Sequence, residues 1–135
     1  MFKSVLTISV VLISMISCND NYTTSPNTDT DVATAFIRAL LDNKLKDAEQ
    51  FILKEDTNKQ YFEVIKRKYK KKSKEELEKY KAADIIINEI SNVTDTISII
   101  NYSNSYNKQA KNKVKVVRIN NKWQIDLKYT FSGNM

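Results

Sequence analysis

Few side chains in this sequence could do chemistry, and the missing types say as much as those present. Its 135 residues include no histidine and one cysteine, Cys18. That composition excludes Ser-His and Cys-His nucleophilic catalysis and imidazole-based metal sites. A single cysteine cannot form an internal disulfide. Two carboxylates stand in strand-like stretches, Glu89 before Ile90 and Asp126 before Leu127. Either would serve as a general acid or base only if it pointed inward. The pattern instead places Glu89 toward solvent and makes Asp126 the surface partner of Lys115. Trp123 and Tyr129 read as core or rim aromatics rather than ligand-stacking groups. Without histidines or clustered acids, no metal is expected, and no cofactor.

The charged residues are unevenly spread. Residues 59–81 hold ten Lys or Arg and four Glu. The plain reading of Lys66, Arg67, Lys68, Lys70, Lys71, Lys72 and Lys74 is a solvated helical face with scattered ion pairs. A second reading is attraction to anionic lipid headgroups, worth on the order of 1 kcal/mol per basic residue near a membrane surface. Basic residues interleaved with tyrosines are compatible with nucleic acid as well, but the address at the N-terminus argues against that partner.

That address begins with Lys3 and continues as an apolar run from Val5 to Ile16, interrupted by Thr7, Ser9 and Ser14. The run is too short to span a bilayer, which takes about 20 apolar residues, and has the length of a signal-peptide core. It ends in Met15-Ile16-Ser17-Cys18, after which the chain turns polar at once. This resembles a bacterial lipoprotein signal with its lipobox: an apolar residue three before the cysteine, a small residue directly before it, then Cys. Met15 stands where Leu is more usual. The resemblance implies cleavage of residues 1–17, a diacylglyceryl group on the Cys18 thiol and a further acyl chain on the new amino terminus. Two or more chains anchor stably where one binds only marginally. On this reading Cys18 is a lipid site, and loss of Lys3 lowers the net charge from +6 to +5. Residues 18–30 then form a polar tether, with the outer membrane favoured over the inner.

The elements follow from spacing. With one Gly and one Pro in the chain, tight turns fall to Asn, Asp and Ser. Thr30 is the expected N-cap of a helix carrying Val32, Ala35, Phe36, Ala39 and Leu40, closed by Asn43 in the left-handed region. Leu45, Ala48, Phe51 and Ile52 predict a second helix. A third, capped by Thr57 or Asn58, presents Tyr61, Phe62, Ile65 and Tyr69. Ser73-Lys-Glu-Glu76 has capping-box spacing and opens a fourth. Strands are expected over 83–90 and 95–102 with a turn at 91–94, and 103–112 reads as a long polar loop. The stretch KVKVVRINNKWQIDLKY (113–129) reads as a hairpin turning at Asn120-Asn121. Counting outward sets Arg118 opposite Trp123, Val116 opposite Ile125, Val114 opposite Leu127 and Lys115 opposite Asp126, the last pair on a wet face.

Helices followed by four antiparallel strands argue for one α+β domain over 31–131. VATAFIRALLDNKLKDAEQFI, the Ser-Lys-Glu-Glu-Leu-Glu run and the terminal hairpin resemble the nuclear transport factor 2-like, cystatin-like superfamily, in particular small bacterial lipoproteins with that fold. The resemblance implies a curved sheet wrapped round a long helix into a cone. Some members are isomerases or dehydratases that use carboxylates, His or Tyr inside the cone, and no residue here matches those positions. The expectation is a non-catalytic envelope module that binds or scaffolds an unknown partner, an envelope protein or a lipophilic ligand; the alternative is a small-molecule-binding or catalytic cone of that superfamily. Asp95-Thr96-Ile97 also fits a short O-glycosylation pattern of exported bacterial proteins.

Overall fold

The computed structural model describes residues 25–131. The signal segment, Cys18 and most of the tether therefore lie outside the described residues. The chain runs α1 (Asp29–Leu41), α2 (Leu45–Glu49), α3 (Asp56–Lys70), α4 (Lys74–Lys81), β1 (Ile85–Thr94), β2 (Ile97–Asn104), β3 (Asn112–Ile119), β4 (Lys122–Asp126) and α5 (Leu127–Phe131). The fold is α+β. Its four antiparallel strands lie in sequence order in one open sheet.

Helix α1 starts two residues before the expected position, because Thr28 and not Thr30 is its cap. The Asp31 N–H donates to Thr28 Oγ1 at 3.1 Å, and the Thr28 N–H returns to the Asp31 carboxylate at 3.3 Å. This reciprocal box needs an acid three residues after the cap, which Thr28 has and Thr30 lacks. The helix ends as its sequence predicts. Asn43 takes φ 56°, its N–H bonds Leu40 O, and the Lys44 N–H bonds Ala39 O at 2.8 Å, a Schellman closure. The buried side of α1 is wider than a simple amphipathic stripe and includes Ala33, Ile37 and Leu41. The cause is tertiary: α1 packs against α2, α4 and all four strands.

The second helix stops at Glu49. Phe51 and Leu53 leave it to run alongside β4, where the Ile125 N–H donates to Phe51 O at 2.8 Å and the Leu53 N–H to Ile125 O at 2.9 Å. This covers the β4 edge. Glu55 stands at the N-cap of α3 without a side-chain cap bond, so neither Thr57 nor Asn58 caps it. Asn58 is instead fully buried. Ser73 does cap α4, accepting the Glu76 N–H at 3.1 Å, while the Glu76 carboxylate turns to Lys72 at 2.8 Å.

Strand β1 continues through the expected turn at 91–94. The reversal falls at Asp95-Thr96, between Thr94 and its partner Ile97. The ladder absorbs the polar Asn residues through irregularities between Ile87 and Glu89 and between Asn92 and Thr94, and such bulges let an uneven polar pattern stay in a strand. The last hairpin has the expected register from Ile119↔Lys122 to Lys115↔Asp126. Asn120 and Asn121 both take positive φ, 51° and 60°, as a type I′ turn requires. The expected pair of Val114 with Leu127 is not part of the ladder, because β4 ends at Asp126 and Leu127 opens α5.

The core lies between α1 and the sheet face that carries Ile100, Val114, Val116 and Ile125, with Phe36, Ile37 and Phe62 from the helices. Each fully buried aliphatic or aromatic side chain contributes roughly 1.5–3 kcal/mol.

Candidate functional site

The basic stretch occupies the end of α3 and the start of α4. Two of its lysines are drawn inward. Lys66 Nζ lies 2.8 Å from Glu63 and 3.7 Å from Glu49, and 5.0 Å from the Phe62 ring centre. The bond from Glu63 raises its pKa. Lys72 is 2.8 Å from Glu76 and 4.5 Å from the Tyr80 ring centre. Partial burial opposes its charge, but Glu76 and Tyr80 outweigh that and raise its pKa. Arg67, Lys68, Lys70, Lys71 and Lys74 have exposed side chains. The stretch is thus a solvated face on which Lys66 and Lys72 form ion pairs, and surface pairs of this kind add little stability.

Behind Lys72 lies a group of tyrosines that spacing alone does not assemble. Tyr69 comes from α3, Tyr80 from α4, Tyr102 from β2 and Tyr106 from the following loop. Tyr80 and Tyr106 meet edge to face, with ring centres 5.2 Å apart. Burial, then the neighbouring Tyr102 and Tyr80, push the Tyr69 phenol well above its usual range. Burial alone pushes Tyr102 up to about 12. Both phenols stay protonated at neutral pH, which suits hydrogen-bond donation and packing rather than nucleophilic attack. Ser98, Ile100 and Tyr102 share the inward face of β2, whereas the alternation of Ile97 and Ile99 with Thr96 and Ser98 does not mark that face as the buried one.

The Asp126 reading needs correction. Lys115 does face it, Nζ to carboxylate 3.5 Å, but the face is not wet there, since Asp126 is only 5% exposed. Helix α5 folds back so that the Lys128 N–H donates to Asp126 Oδ1 at 3.1 Å, with Lys128 Nζ 4.0 Å away. The carboxylate is consumed by structural partners. Glu89 is exposed as expected, 3.5 Å from the Ser91 hydroxyl. Trp123 is half-buried against the core with the Arg118 guanidinium 5.3 Å from its ring centre. Tyr129 is half-buried in α5.

Four buried polar residues escaped the sequence reading: Ser103 and Asn104 end β2 where a polar loop was expected, and Asn58 and Ser98 join distant parts of the chain. Asn58 donates from Nδ2 to Leu53 O at 3.1 Å and accepts the Leu127 N–H at 3.0 Å. Ser98, buried on the inner sheet face, donates to the Asp29 carboxylate and lies 3.1 Å from Asn92 Oδ1. Asn58 and Ser98 both bond residues 69 positions away, so no local pattern marks either.

Several grooves of similar size open at the surface of the described residues. One, about 390 Å³, lies over Ile52, Leu53 and Phe62, with Glu49, Glu55 and Lys59 at its rim. Another, about 380 Å³, lies where the chain enters at Pro26 and Asn27, against Phe51, Asn121 and Trp123. Among the described residues no group of three His, Cys, Asp or Glu could hold a metal ion, and no helix is long and apolar enough to cross a membrane. Comparison with known proteins finds no matching family model, no matching curated protein and no matching solved structure.

Proposed function

We propose that this chain is a bacterial envelope lipoprotein whose domain, held at the membrane by a short tether, is a non-catalytic binding or scaffolding module of the nuclear transport factor 2-like kind. One observation carries the reading: the only cysteine, Cys18, stands directly after an apolar run of signal-peptide length and before a polar tether. A lone thiol at that position is explained by lipidation and by little else. The helix-then-sheet order, with α1 packed on all four strands, supports kinship with the cone-shaped fold. The space between α1 and the sheet is filled by the domain's own side chains, Phe36, Ile37, Ile100 and Val116 among them. The surface, rather than the interior, is therefore the binding element, and an envelope protein or the membrane itself the partner.

The test is the intact mass of the protein recovered from the membrane fraction, beside a Cys18→Ser variant. Loss of residues 1–17 together with added acyl mass, both absent from the variant, is expected. Unacylated protein in the soluble fraction would sink the proposal.

A further inference from the structure

Of the three sheet connections, the β1–β2 and β3–β4 turns lie at one end of the domain, and the chain enters at that same end. Asp29, in the first turn of α1, takes the Ser98 hydroxyl at the start of β2. Pro26 and Asn27 share a groove with Asn121, Lys122 and Trp123. The two turns adjoin, since the Arg118 N–H donates to Thr96 O at 2.8 Å. The opposite end is marked by Arg38, late in α1, which donates to Ala83 O at 2.8 Å and Lys81 O at 3.1 Å. There too lie Tyr80, Tyr106 and the Lys72 that covers Tyr80. A helix of 13 residues sets the two ends about 20 Å apart.

The turn end is amphipathic. Val93 is 60% exposed and Ile119 43%, large apolar side chains at the tips of the two hairpins. Beside them stand Arg118 and Lys122, both exposed, and Trp123. Asp95 is the single acid in the two turns. Exposed aliphatic tips flanked by cations and a tryptophan match the chemistry of a bilayer surface, where apolar groups enter the headgroup boundary, cations meet lipid phosphates and the indole sits between.

We infer that the hairpin-turn end, with Val93, Ile119, Arg118, Lys122 and Trp123, is a docking surface for an anionic phospholipid bilayer. The inference rests on the proposed anchoring at Cys18 and names which face of the anchored domain meets the lipid. Pro26 lies eight residue steps after Cys18; fully extended that length of chain reaches about 27 Å, and as a coil about 16 Å. The tether thus keeps this end nearest the membrane. The exposed cations Lys70, Lys71 and Lys74, beside the Lys72–Tyr80 contact of the far end, are carried away from it. From sequence, lipid contact is only the second reading of that basic stretch, after a solvated face; charge density there does not show which end the tether leaves from.

Trp123 is the only tryptophan, so its emission reports this surface directly. The full-length lipidated protein, reconstituted into phosphatidylcholine–phosphatidylglycerol vesicles, is compared with soluble Cys18→Ser protein. Trp123 emission is expected to shift to shorter wavelength on the vesicles. Lipids brominated near the headgroup should quench it more than lipids brominated at the chain end. The exposed-site substitutions Val93→Asp and Ile119→Asp together should abolish the shift and the quenching while the protein still floats with the vesicles. Arg118→Glu with Lys122→Glu should remove the preference for anionic over neutral vesicles. Lys70→Glu with Lys71→Glu should change neither. Vesicle-bound protein with an unshifted, unquenched Trp123 overturns the docking surface and leaves the anchor standing. Loss of quenching in the Lys70/Lys71 variant but not in the Val93/Ile119 variant moves the contact to the far end and overturns it as well. A protein without acyl mass that fails to float brings down the anchor, and the docking surface with it.

Discussion

Asn58 ties the segment before α3 to the end of β4 from inside the core, beside the backbone bonds that Phe51 and Leu53 make to Ile125. Its amide satisfies the Leu53 carbonyl before α3 and the Leu127 N–H after β4, and it is wholly buried. A buried backbone group left without a partner costs about 1–3 kcal/mol. Asn58→Ala strands two such groups and should destabilise the domain by roughly 2–4 kcal/mol. Urea denaturation checks this: the midpoint should fall with little change in slope, and an unmoved midpoint would mean that water replaces the amide. Asp126 shows the same principle with charge. A carboxylate 5% exposed needs partners to offset its burial, and Lys115, the Lys128 N–H and the Lys128 ammonium surround it.

Element boundaries are set by asparagines in the left-handed region, where most chains would use glycine. Asn43 closes α1, and Asn120 and Asn121 turn the last hairpin. A residue with a Cβ and no side-chain hydrogen bond pays about 1–2 kcal/mol there. Asn43→Ala and Asn121→Ala should therefore each lower the thermal midpoint by roughly 5–10 °C, given about 4–8 °C per kcal/mol for a domain of this size. The Gly substitutions at the same positions should leave it level or raised. Calorimetry of the four variants distinguishes a conformational cost, which spares Gly, from loss of an Asn side-chain contact, which does not.

At the scale of the whole molecule, helix and sheet layers are joined through groups that must stay neutral. Tyr69 stands on α3 and Tyr102 on β2, and burial pushes both phenols above their ordinary range, Tyr102 to about 12. An acid whose pKa is raised in the folded state leaves stability intact below its unfolded value and removes it as pH climbs beyond. Stability should thus be flat across neutral pH and fall between about pH 10 and pH 12. Phenolate absorbance followed with pH should show two of the seven tyrosines ionising late, together with loss of near-ultraviolet circular dichroism. If all seven ionise in one step near pH 10 with the fold intact, the two phenols are not buried as described.

Local chemistry is written in the sequence. The hairpin register from Ile119 to Lys115, the turn at Asn120-Asn121, the helix stop at Asn43, the Ser73 cap and the α+β order all follow from nearest-neighbour rules, because each depends on residues a few positions apart. The cap of α1 was legible too, in the Thr28-x-x-Asp31 spacing, although Thr30 offers the same hydroxyl. The turn after β1 was not, because bulges let Asn88 and Asn92 stay within a strand whose polarity reads as a loop. The tertiary structure alone decided the rest. Asn58 is buried because Leu127 arrives from 69 residues away. Asp126 is dry because α5 folds back over it, and the four tyrosines meet because α3, α4 and β2 converge. The face presented to a membrane depends on which end of the sheet the tether leaves. Burial is a property of what the rest of the chain brings to a residue, and spacing along the sequence does not contain it.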